Sequence, residues 1–163
     1  MILATSYELV FNKFIKKLKN DDHFFSYKGL TEEEIQEMVN EHMSSLLDQG
    51  VAYIYKFGNP DINLYEKNDE AQVFESDLVN QEIDLLADLM YMYYVQEQRN
   101  KIKAFGITFR SSELNVFSPA NERKTTLELI RELETTSEKS IQNYLSRDRK
   151  SWAYKSIYGS GSS

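Results

Sequence analysis

The stretch FESDLVNQEIDLLADLMYMYYV, Phe74 to Val95, decides the fold. Ser76 or Asp77 offers the side-chain oxygen that caps a helix, and the helical pattern then runs to about Lys103. From Leu85 to Val95 nearly every position is apolar, leaving almost no polar face. A helix that is apolar all round must be covered all round. Either the other helices wrap it, or a neighbouring copy of the chain buries one side. The second possibility makes Met90, Tyr91, Tyr93 and Tyr94 candidate subunit-interface residues.

Working outward, three more helices are expected. Thr5 or Ser6 caps the first, whose apolar positions Tyr7, Val10, Phe11, Phe14, Ile15 and Leu18 follow helical spacing. Thr31 opens the second with a capping box to Glu34. Ile35, Met38, Val39, His42, Met43, Leu46 and Leu47 form its stripe, and Gly50 reads as its stop. Residues 51–75 read as an irregular loop with either one short strand or an extra helical turn, VAYIYKF carrying strand-like composition and FGNPDIN a turn signal. Ser118 and Pro119 start a fourth helix that ends near Ser146, about 40 Å long and expected to be the longest. Its apolar residues fall into two patches, Leu127 to Leu133 and Ile141, Tyr144, Leu145, separated by the polar run ETTSEKS. It is either one amphipathic helix or a helix whose second patch reaches a neighbour.

The fold class expected is therefore all-α: a four-helix bundle-like domain over residues 1–146, with a long C-terminal helix. Residues 147–163 form an extended basic, aromatic tail. Trp152, Tyr154 and Tyr158 alternate with smaller or polar residues there, a pattern suited to adding a strand to a partner's sheet, although chain ends commonly fray. No role is assigned to the final GSGSS.

The composition suits a globular domain: 41% hydrophobic, 28% charged, with only 6 Gly and 2 Pro to interrupt helices. The formal charge is −7. The tail holds Arg147, Arg149, Lys150 and Lys155 against Asp148, a net +3, so the other 146 residues carry −10. That acidity argues against nucleic-acid binding by the whole surface. The opening MILATSYELVFNKF lacks a signal-peptide layout, and no apolar run approaches bilayer length, so the expectation is a soluble protein made in the cytoplasm.

Signals for chemistry are sparse. The chain has no Cys and only two His. Val39 and Asn20 stand three residues before His42 and His23, where a helical carboxylate metal site would need Glu. His42 reads instead as a core-edge histidine with a hydrogen bond. Glycine-rich phosphate loops and G-x-S-x-G are absent. Asp84 and Asp88, one helical turn apart, fit a solvated edge better than an acid–base pair. No enzyme, metal or cofactor is expected.

Three segments in order carry a resemblance. The first is Phe74, Asp77-Leu78, Glu82, Asp84 to Ala87 and Leu89-Met90. The second is Leu114-Asn115 with Phe117 to Asn121. The third is Tyr144 with Ser146 to Arg149. Over residues 70–150 the chain resembles the head–tail connector, or neck adaptor, proteins of tailed bacteriophages. The resemblance implies a structural virion protein, synthesised in the host cytoplasm, that forms a ring of roughly twelvefold symmetry beneath the portal. Implied partners are the portal protein, neighbouring copies, a stopper or tail-completion protein, and DNA passing through without sequence-specific contact; no membrane is implied. Portal docking would fall on Arg147, Arg149, Trp152, Tyr154, Ile157 and Tyr158. An acidic body would let DNA slide past. The tail here is more aromatic than the family's usual polar ending. The competing class is a small acidic helical regulator or DNA mimic acting on a host protein, whose carboxylates should stand in regular rows; here Lys and Arg interrupt them, as in RKTTLELIRELE.

Overall fold

The structure, a computed structural model, describes residues 4–18, 29–108 and 119–156. The elements in chain order are β1 (Thr5–Ser6), α1 (Tyr7–Leu18), α2 (Glu32–Tyr55), β2 (Lys67–Asn68), β3 (Val73–Phe74), α3 (Asn80–Thr108) and α4 (Pro119–Leu145). The chain is mostly helical, but the all-α expectation is corrected by a small antiparallel sheet of order β1-β3-β2. Phe74 pairs with Thr5 on one side and Lys67 on the other.

α3 is the central helix, packed against α1, α2 and α4. Ile83, Leu85, Leu86, Ala87, Leu89, Met90, Met92, Tyr94 and Val95 are all buried. Its partners bring Val10 and Phe14 from α1, Leu46, Leu47, Val51 and Ile54 from α2, and Ile130, Ile141 and Tyr144 from α4. The over-apolar segment is thus covered within its own domain. Met90, Tyr94, Ile141 and Tyr144 face that core, which corrects their expected place in a subunit interface. Tyr91, Tyr93 and Leu145 are half-buried against the same cluster. The two patches of α4 lie on one face, because Ile130, Ser137, Ile141 and Tyr144 are buried together at helical spacing. α3 spans 29 residues and α4 27, so α3, not α4, is the longest element.

α2 begins as its sequence predicts. Thr31 accepts from the Glu34 amide at 3.3 Å, and Glu34 accepts from the Thr31 amide at 2.8 Å. The expected stop at Gly50 fails, and of the two readings of VAYIYKF the extra helical turn holds and the strand does not, since α2 continues to Tyr55. Val51 and Ile54 extend the buried stripe of Leu46 and Leu47, and that burial outweighs their strand propensity. Gly50 serves a different purpose. A Cβ there would lie 3.2 Å from the Leu89 Cβ, so glycine permits the close crossing of α2 over α3.

Thr5 and Ser6 do two jobs. They form β1, and the Ser6 hydroxyl still accepts from the Glu8 amide at 3.2 Å to cap α1. α1 is tied to α3 by two parallel ion pairs, Lys13 with Asp84 and Lys17 with Asp88, each at 2.5 Å. This accounts for the Asp84 and Asp88 carboxylates as a charged edge. His42 lies at the edge of the core and hydrogen-bonds Glu97 at 2.7 Å.

Residues 56–79 are an ordered connection. Leu64 is buried, and its amide donates to the Tyr55 hydroxyl at 3.0 Å. Lys67 bridges Asp48 of α2 at 2.9 Å and Asp69, which also accepts from Tyr7 of α1 at 2.8 Å. Burial alone would depress the Lys67 ammonium, but hydrogen bonds to Asp69 and Asp48 outweigh it and hold it above its ordinary value.

Replacing Gly50 with Val should cost about 1–3 kcal/mol through overpacking against Leu89, seen as a lower urea midpoint at unchanged slope. An unaltered midpoint would show that the crossing has room to spare.

Candidate functional site

One of the residues expected to dock with a partner, Arg149, is held by a buried carboxylate. Glu82 sits in the first turn of α3, and its side chain is 1% exposed. One oxygen accepts from the Val79 amide at 2.8 Å, a reach-back that starts the helix at Asn80 instead of Ser76 or Asp77. Val79 then acts as the capping residue, because the segment before it is committed elsewhere. The Leu78 amide donates to the Thr5 hydroxyl at 2.8 Å. The second Glu82 oxygen accepts from the Tyr144 hydroxyl at 2.8 Å. Arg149 completes the set with Nε at 2.9 Å and Nη2 at 2.8 Å, a two-pronged grip on the carboxylate. Nη2 also donates to the Asp77 carbonyl at 2.5 Å.

Four donors thus fill the acceptor capacity of a carboxylate. The hydrogen bond to Glu82 comes first among the causes that hold the Arg149 guanidinium above its ordinary value. Burial, then the Glu82 charge, pushes the Tyr144 phenol up.

This anchor holds a compact hairpin where an extended tail is expected. Past the end of α4 the chain reverses, and Arg147 bridges Tyr154 in antiparallel register. The Asp148 amide donates to the Ala153 carbonyl at 2.8 Å, and the Lys155 amide to the Ser146 carbonyl at 2.9 Å. The turn is built by Asp148, whose carboxylate accepts from the Ser151 amide at 2.7 Å and the Lys150 amide at 3.2 Å. Those bonds, the one from Ser151 foremost, hold the Asp148 carboxyl below its ordinary range. Trp152 takes the left-handed conformation at φ 58°, closing the loop as its amide donates to the Asp148 carbonyl at 2.9 Å. Lys155 fastens the returning strand to the body through Asp61 at 2.8 Å and the Leu145 carbonyl at 2.9 Å.

The expected docking residues therefore separate. Arg149 is spent inside the domain. Trp152 is half-buried against the core. Arg147 reaches Asn143 at 2.7 Å and the Trp152 carbonyl at 2.8 Å. Its guanidinium lies 4.0 Å from the centre of the Tyr154 ring. Tyr154 is 70% exposed. Ile157 and Tyr158 lie outside the described residues. In the sequence Glu82 enters only as one of the residues that carry the resemblance, with no role of its own. The signal for its role is its place three residues after the capping position, where Glu reaches back to the backbone.

A second surface lies on the outer side of α2. Glu33, Glu37 and Glu41 stand one helical turn apart and, with Asp48 and Asp69, line an open groove of about 930 Å³. Among the described residues no cluster of three or more potential ligands could hold a metal. Nor is any helix there long and apolar enough to cross a membrane. No protein-family model, curated protein or solved structure matches the chain. Fold and site together define a mostly helical domain whose C-terminal hairpin is clamped to the start of its central helix.

Changing Arg149 to Ala should cost about 3–5 kcal/mol by leaving Glu82 buried without its cation, whereas the apolar pair Glu82→Leu with Arg149→Met should recover most of that loss in urea melts. Equal destabilisation by the single and double variants would contradict the account. A separate alkaline test concerns Tyr53, whose phenol burial and the nearby Glu138 push up to about 12. Because the folded value is raised, the stabilisation is whole below about pH 10 and is lost as pH rises through 12. Phenolate absorbance should show a step near pH 12 that loses one phenol's amplitude in Tyr53→Phe.

Proposed function

We propose that the chain is a structural subunit of a phage head–tail connector, forming a ring between portal and stopper or tail and continuing the DNA channel. The observation that carries this reading is the convergence at Glu82. Glu82 and the Asp77 carbonyl, Tyr144 and Arg149 come from two of the three segments of the resemblance, and they meet around the buried Glu82 carboxylate. Segments so far apart in sequence share a pattern for a reason when they build one structural element. That element is the tail's anchorage, which is where a connector engages its portal. The protein acts by assembly, without catalysis, and works in the virion neck.

The row of carboxylates on α2 favours one other reading, an acidic regulator that occupies a host protein's basic site. Particle mass separates the two. Mixed with the portal protein of the same phage, the full chain should form ring-sized complexes, and a chain ending at Ser146 that also carries Glu82→Leu, so that no acid is left buried alone, should not. A monomer indifferent to portal, yet bound by a host nucleic-acid-binding protein, would replace the connector reading with the regulator.

A further inference from the structure

The tail's sequence suits a strand that adds to a partner's sheet, but its geometry opposes that mode. Strand addition needs free backbone donors and acceptors. Here the Asp148 and Lys155 amides and the Ser146, Ala153 and Trp152 carbonyls are already engaged within the hairpin or by Arg147. Pulling residues 147–155 straight would also draw Arg149 off Glu82. That carboxylate would stay in a site 1% accessible with no cation, the costly half of breaking a buried pair.

One side chain of the hairpin is left over. Tyr154 is 70% exposed, the most exposed large hydrophobic side chain among the described residues, although the backbone on both sides of it is held. Arg147 and Tyr154 stand directly opposite each other with hydrogen bonds flanking them on either side, the pairing that brings side chains closest. The guanidinium therefore fixes one face of the ring from 4.0 Å and leaves the other to solvent. An aromatic held in place before binding loses little freedom on binding, which is the property of an interface anchor. The same hairpin carries the cations Arg147 and Lys150, while the Lys155 ammonium is paired with Asp61. The one carboxylate of the loop, Asp148, is turned back onto its own backbone.

We propose that residues 147–155 dock as a preformed hairpin, with Tyr154 as the anchor. The surface that receives them is acidic around an apolar socket for one phenol ring. The identity of that surface as part of the portal rests on the connector reading above; the hairpin mode rests on the geometry alone. The basic face fits an acidic receiver by charge, and such a fit speeds encounter in a salt-dependent way.

The chain has no native cysteine, so Ser146→Cys with Lys155→Cys places a single cross-link across the hairpin. Binding to the portal of the same phage would be compared between the oxidised and reduced forms of this one variant. The two should agree within about threefold, and Tyr154→Ala, which leaves Glu82 and Arg149 untouched, should weaken binding by about tenfold or more. Binding by the reduced form alone would overturn the hairpin mode in favour of strand addition. Undiminished binding by Tyr154→Ala would remove the anchor. Hydrogen exchange gives a reading independent of the portal. The Asp148, Trp152 and Lys155 amides should be protected in the free chain and remain so in the complex. Fast exchange in the free chain would overturn the preformed hairpin whatever the partner. Protected amides with no portal binding by the wild type would overturn the portal as receiver and leave the hairpin standing.

Discussion

Glu82 is the one charged side chain among the described residues that the fold buries, and the arrangement of the chain's later half depends on it. A carboxylate out of water is tolerable only when its lone pairs are filled and its charge is matched. Val79 supplies an amide, Tyr144 a hydroxyl and Arg149 a guanidinium. Each donor belongs to a different part of the chain, so satisfying one acid fixes where α3 begins, how α4 ends and where the tail turns. An apolar residue at this place could have packed as well. It would not have specified those three positions together.

The second constraint is the breadth of apolar surface on α3. Covering it takes all three other helices and leaves little of α3 between Leu85 and Val95 for a neighbour. A ring would therefore have to be built from outer faces and the hairpin, not from the side chains that look most adhesive in the sequence. Tyrosine shows the same division. Tyr7 and Tyr144 are buried with their hydroxyls on carboxylates, and Tyr154 stands in solvent on an arginine.

Much of the helical layout was legible because helical periodicity is local. The capping box at Thr31, the stripe of α1 and the proline at the start of α4 each speak through neighbours in sequence. The misreadings arose where a distant contact decides. Gly50 reads as a stop, and only the proximity of Leu89 shows that it is a crossing point. Thr5 reads as a cap until Phe74 pairs with it, and two-residue strands leave no alternation to detect. The tail reads as extended because its aromatics alternate. The turn that reverses it depends on Asp148 folding back and on a carboxylate 67 residues upstream.

The clamp also has a meaning in time. A growing chain exposes Glu82 long before Arg149 is made, and domains begin to fold from the N-terminal side during synthesis. Until Arg149 emerges, the start of α3 holds an acid without its cation. A product that stops short of Arg149 keeps that defect permanently. Such a copy is less stable than one in which Arg149 has reached Glu82.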